Sequence, residues 1–178
     1  MTDRIDLDGK ARKQGLHIGL YGVGLDTYWP QFDGLYERLQ SYQDQIRTRI
    51  EREGITVFDV GIVDSPEKAR IAADLFAASN LDLIFLNIST YALSSTVLPV
   101  VQQVKAPVVV LSLQPTKAMD YNYVNKLGDR GRMTGEWLAY CQACSAPEIA
   151  SVFNRVGVDY HLVTGSLDDQ EAWQEIDE

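Results

Sequence analysis

Mostly apolar runs rich in β-branched residues recur at Leu16–Tyr21, Ile55–Val60, Leu81–Leu86, Pro107–Leu113 and Val158–Thr164, and longer segments with helical spacing separate them. Such short runs, apolar on both sides rather than strictly alternating, suit strands of a parallel sheet covered by helices on both faces. The first helix is predicted from about Pro30 to Glu53, with Leu35, Leu39, Ile46 and Ile50 on one face and Gly54 as its stop. A second starts at "DSPE", where Asp64 or Ser65 can cap and Pro66 fits the first turn, and it runs to Asn80. A third spans Ser94 to Val104. Ser112–Gly135 has no clean periodicity and reads as a long functional or partly helical loop. Helical patterning resumes at "EWLAYCQAC", and Ser145 and Glu148 have the spacing of a capping box.

The expectation is therefore an α/β, three-layer domain, flavodoxin-like or Rossmann-like, on a mostly parallel five-stranded sheet, with ligand groups at the C-terminal ends of the strands. No repeat or low-complexity segment interrupts it, so residues 1–178 read as a single domain. The acidic ending, 166–178, with Asp168, Asp169, Glu171 and Trp173, looks like the start of another helix: the expectation is the start of a following element in a longer polypeptide, and the alternatives are a C-terminal helix or an acidic tail.

Charge narrows the partners. Aspartate and glutamate number 25 against 16 lysine and arginine, a formal charge of −9. That balance argues against a sequence-independent grip on nucleic acid or anionic lipid, both of which need a cationic face. With 46% apolar residues, the chain can bury roughly 70% of its unfolded surface as one domain. The N-terminal stretch "MTDRIDLDGKARKQG" has no apolar core of signal-peptide length, and no run approaches the ~18 apolar residues of a membrane span. A cytoplasmic location is expected by elimination. Cys141 and Cys144 form a lone CxxC without the second pair a structural zinc site needs, and read as small helix residues in a reducing compartment.

The stretch "GLYGVGLDTYWPQF" after the first strand poses the functional question. Gly19, Gly22 and Gly24 are spaced GxxGxG rather than GxGxxG, and Asp59 lies too far along to hold a ribose in the dinucleotide manner. A phosphate-binding P-loop would end in Lys followed by Ser or Thr, whereas this turn continues Leu25-Asp26-Thr27. Asp26, Thr27, Tyr28, Trp29 and Gln31 set hydroxyl, carboxylate and amide groups beside two flat faces, a mixture suited to a polyol; packing of the loop by Tyr28 and Trp29 is the structural alternative. Asn87, Ser89, Thr90 and Tyr91 after the third strand, and Ser112 and Gln114 after the fourth, are expected on the same edge. His17 and His161 fall in predicted strands, with no metal-ligand spacing and no nucleophile elbow to serve.

"IGLYGVGLDTYWPQF", "LDLIFLNISTYALSSTVLPVVQQVKAPVVVLSLQP", "MDYNYVNKLGDRGR" and "VDYHLVTGSLDD", in that order, resemble the N-terminal domain of the L-arabinose isomerase and L-fucose isomerase superfamily. The resemblance implies a metal-dependent aldose–ketose isomerase that uses manganese and assembles as a trimer or hexamer. It also implies metal ligands in later domains, and for this domain a share of the sugar pocket and of the oligomer contacts. Onto this sequence it maps the segment Leu25–Gln31, with Asp26, Tyr28, Trp29 and Gln31, together with Tyr91 and Gln114. Where L-arabinose isomerases carry a sugar-reaching histidine, an ungapped match puts Asp129, which points to a divergent member. The alternative is a free-standing sugar-binding or subunit-docking module without catalysis.

Overall fold

The structure, a computed structural model, describes residues 15–178; the N-terminal stretch read above as lacking a signal-peptide core lies, for residues 1–14, outside the described residues. Five strands, β1 (Leu16–Val23), β2 (Ile55–Val63), β3 (Leu83–Ile88), β4 (Val108–Gln114) and β5 (Tyr160–Ser166), form one sheet in the order β2-β1-β3-β4-β5. Every neighbouring pair is parallel, so the α/β, three-layer expectation holds. The winding direction reverses between β1 and β3, which makes their C-terminal ends the topological switch point.

Side chains alternate along each strand and feed two cores. Ile18 and Leu20 of β1 and Phe85 of β3 join Ile46 and Ile50 of α1 (Leu35–Ile50) and Trp173 of α7 (Gln170–Asp177) on one face. Tyr21, Ile84, Leu86 and Ile88 meet α2 (Pro66–Ala78), α3 (Ser94–Gln103) and α6 (Gln142–Val156) on the other, through Phe76, Val97, Val100 and Phe153. Two short helices, α4 (Tyr121–Lys126) and α5 (Arg130–Leu138), occupy the expected aperiodic loop. Asp120 and Asp129 start them, each side chain accepting from a backbone N–H three residues on.

Several boundaries differ from the sequence reading. The helix predicted from Pro30 begins at Leu35, because Gly34 enters it at φ +76°, a left-handed conformation that glycine adopts without a Cβ clash. Strands β3 and β5 run two residues beyond their predicted ends, so Asn87 lies inside β3 rather than after it. "EWLAYCQAC" is not one helix. The amides of Tyr140 and Cys141 turn back to Trp137 and Leu138 carbonyls, the helix breaks, and α6 starts from Cys141.

The expected capping box is therefore overturned: Ser145 is buried inside α6, where its hydroxyl donates to the Thr90 carbonyl and accepts from the Ala92 amide. The acidic ending forms the helix that its sequence suggests, and not a tail. Helix α7 folds back on the sheet, Trp173 is 3% exposed, and its indole donates to the Leu167 carbonyl.

Candidate functional site

The glycines of the loop-bearing strand serve close packing. A Cβ on Gly22 would collide with Gln43 Oε1 and lie 2.6 Å from Ser89 Oγ, and one on Gly24 would press the Trp29 indole at 3.0 Å. The chain then makes a single 3-10 turn, Asp26–Tyr28. Trp29 Nε1 donates to Asp64 Oδ2 at 2.8 Å, an oxygen that also accepts from Lys68 Nζ at 2.7 Å. Tyr28 meets Trp29 and Phe32 edge-on, and Trp29 meets Tyr36 in the same way. These rings close over Leu35, Leu39, Ile62, Leu138 and Ala139, so Tyr28 and Trp29 do pack the loop onto the fold.

Beside this aromatic cluster opens a cleft of about 420 Å3 between the loop's end and α5. Gln31, Phe32 and Asp33 line one wall, and Asp129, Arg132 and Glu136 the other. Arg38, also in the lining, reaches across to Glu136 at 2.7 Å and donates through Nε to the Tyr42 hydroxyl. Burial pulls the Arg38 guanidinium down, but the hydrogen bonds to Glu136 and Tyr42 outweigh it and hold the group firmly charged. Both helix-starting segments open here, that of α1 at Gly34 and that of α5 at Asp129.

The seven sequence-predicted residues thus separate. Gln31 and Asp129 share the cleft. Tyr91 donates to Glu148, which is the main reason its phenol is raised, and it lies within electrostatic reach of Tyr28 near the start of α6. Trp29 is committed to Asp64, Gln114 ends β4 beside Ser166 of β5, and Asp26 is exposed on the turn. Phe32, Arg38 and Glu136 also line the cleft, and none was expected there from the sequence. Nothing local marks them, since Arg38 reads as an ordinary solvated helix position and its partner lies far along the chain.

At the switch point itself, buried Gln43, Asn87 and Ser89 fill the crevice between β1 and β3. Asn87 Nδ2 donates to Ser89 Oγ at 3.3 Å, and Gln43 Nε2 donates to Asp59 Oδ1 at 2.7 Å. Burial raises the Asp59 carboxyl, and the hydrogen bonds from Gly61 and Gln43 only partly oppose it. The folded chain therefore holds this proton more tightly than the unfolded chain. The resulting stability is complete below the ordinary aspartate value of about 3.9 and is lost as pH rises through the raised folded value. Urea midpoints measured from the carboxylate range to neutrality should show Asp59→Asn gaining on the wild type as pH rises; parallel profiles would remove this assignment.

Among the described residues, no group of three or more His, Cys, Asp or Glu comes together where it could hold a metal ion. The residues present do not fit the manganese that the resemblance implies, and no step below runs through a metal. His17 Nδ1 lies 3.2 Å from the Ser79 carbonyl, and exposed His161 contacts Glu175 at 2.7 Å. No helix among the described residues is long and apolar enough to cross a membrane. No family model and no curated protein matches this chain.

Proposed function

We propose that this chain binds a small polyol in the cleft between Gln31 and Asp129, as the sugar-pocket domain of an aldose–ketose isomerase of the L-arabinose and L-fucose type. The observation that carries the reading is that these two residues, from the loops after β1 and β4, line one cleft at the C-terminal edge of the sheet. Its volume lies within the ~300–1,000 Å3 of small-molecule sites. An amide, three carboxylates and two guanidinium groups offer donors and acceptors together, which hydroxyls need, and Phe32 adds an apolar face for C–H groups. With carboxylates outnumbering guanidiniums, a neutral ligand suits the cleft better than a phosphate. In this division of labour the chain holds and orients sugar, while the metal centre and the isomerisation come from protein outside it.

Calorimetric titration with L-arabinose, L-fucose and a sugar alcohol tests the reading. Binding is expected, weakened about three- to ten-fold in Gln31→Ala by loss of one uncharged hydrogen bond. NAD and FMN are expected to leave the melting temperature unchanged. A nucleotide that binds where sugars do not would overturn the proposal, and sugar turnover by the isolated chain with added manganese would overturn the division of labour. A second reading, a docking module for another subunit, has in its favour the exposed rings of Tyr121, Tyr123 and Trp137 on α4 and α5. It predicts self-association without sugar binding.

A further inference from the structure

The two cysteines of the chain are not a pair of unrelated helix residues. Cys141 is the N-cap of α6, with φ −90° and ψ 21°, and Cys144 lies in the first turn, its amide donating to the Cys141 carbonyl. Both are free; Cys141 is buried and Cys144 exposed, and their side chains are in hydrogen-bonding contact. Residues three apart inside a helix hold their Cβ atoms about 5–6 Å apart, too far for the roughly 3.5–4.5 Å of a disulfide. At a helix start this obstacle falls away, because Cys141 stands outside the helical register and can bring its sulfur to that of Cys144. Beside them Gln142 is anchored, its side-chain amide donating to the Ser89 and Ala139 carbonyls, which holds the start of α6 in place.

We propose that Cys141 and Cys144 are a dithiol that low-molecular-weight disulfides oxidise to an internal disulfide at the start of α6. Only Cys144 is open to solution, so it is the attacking group. Its thiolate attacks one sulfur of a disulfide R–S–S–R, forming a mixed disulfide and expelling one thiolate, which takes a proton from water. Cys141 gives its proton to the hydroxide so formed, attacks Cys144 Sγ, breaks the mixed disulfide and expels the second thiolate, which takes up from water the proton that Cys144 had lost. Two protein thiols are oxidised by two electrons, and one R–S–S–R becomes two R–SH.

Burial, together with the Cys144 thiol beside it, pushes the Cys141 thiol up to about 12, so it waits as a thiol while Cys144 is free. Capping Cys144 removes the partner's share of that effect, while the larger share, from burial, remains, so closure is the slower of the two steps. The pair also borders the first loop, since both thiols act electrostatically on the Tyr28 phenol.

Because the chain has 2 cysteines, thiol counting reads this site alone. The folded chain is incubated in a buffer of reduced and oxidised glutathione, then thiols are counted and the intact mass is measured. The wild type should lose both thiols together and two hydrogens in mass, without retaining glutathione. Cys141→Ser should stop at one glutathione on Cys144, and Cys144→Ser should keep its Cys141 thiol free while folded. Two outcomes in the wild type overturn the proposal: both thiols remaining free in a buffer that oxidises the urea-unfolded chain, or a mixed disulfide that accumulates without closing. The wild-type result stands alone if a variant fails to fold.

Discussion

Replacing Trp173 with alanine is expected to remove about 3–5 kcal/mol of folding stability. The indole is 3% exposed and packs with Ile46, Ile50, Val163 and Ala172 on the face shared by α1 and α7. Its N–H satisfies the Leu167 carbonyl at 2.9 Å, and the Arg49 guanidinium lies 4.3 Å from a ring centroid. Alanine leaves a void under α7, an unpaired carbonyl and a cation without its ring. Against a total of about 5–15 kcal/mol this is a large share. With a denaturant slope near ~2 kcal/mol per M, the urea midpoint should fall by roughly 2 M. A change below about 0.5 kcal/mol, ordinary for a loose surface position, would mean that α7 does not close this face of the sheet.

Gly22→Ala should cost about 1–3 kcal/mol for a single added methyl group. The added carbon would collide with Gln43 Oε1 and lie 2.6 Å from Ser89 Oγ. Gln43 could swing aside if it were on the surface, but it is buried and its amide is bonded to Asp59, so moving it breaks the network that fills the switch point. Urea unfolding reads the loss. The same substitution at Gly128, which has φ +65° but nothing within 4 Å of where a Cβ would stand, would cost only its backbone strain, so the pair separates crowding from conformation.

The glycine-rich stretch shows how far the sequence can be read. Its position after the first strand follows from apolar runs at Leu16–Tyr21 and Ile55–Val60, whose pattern is local and therefore visible. Its glycines have the look of a ligand turn, yet Gly22 and Gly24 answer to Gln43, Ser89 and Trp29, contacts made only when the folded segments meet. Asp120 and Asp129 each start a helix in the segment without periodicity, a capping signal too short to stand out where α4 and α5 present few buried residues. Trp173 falls where the sequence already suggests the start of a helix, but eight residues carry too little pattern to show that its ring anchors a core. Of the candidate site, Gln31 and Asp129 are legible as polar groups beyond strand ends. Arg38 and Glu136 are not, since a pair separated by most of the domain leaves no spacing to detect.

Amide chemical shifts of the isotopically labelled chain would show whether the cleft between Gln31 and Asp129 receives a sugar. On saturation with L-arabinose or L-fucose, shifts should concentrate at Gln31, Gly34, Arg132 and Gly135, which line the cleft, and leave Gly157 and His161, at the opposite end of the strands, unmoved. No shift at saturating sugar, or shifts confined to the region of Gly157–His161, would mean that this cleft is not a sugar site.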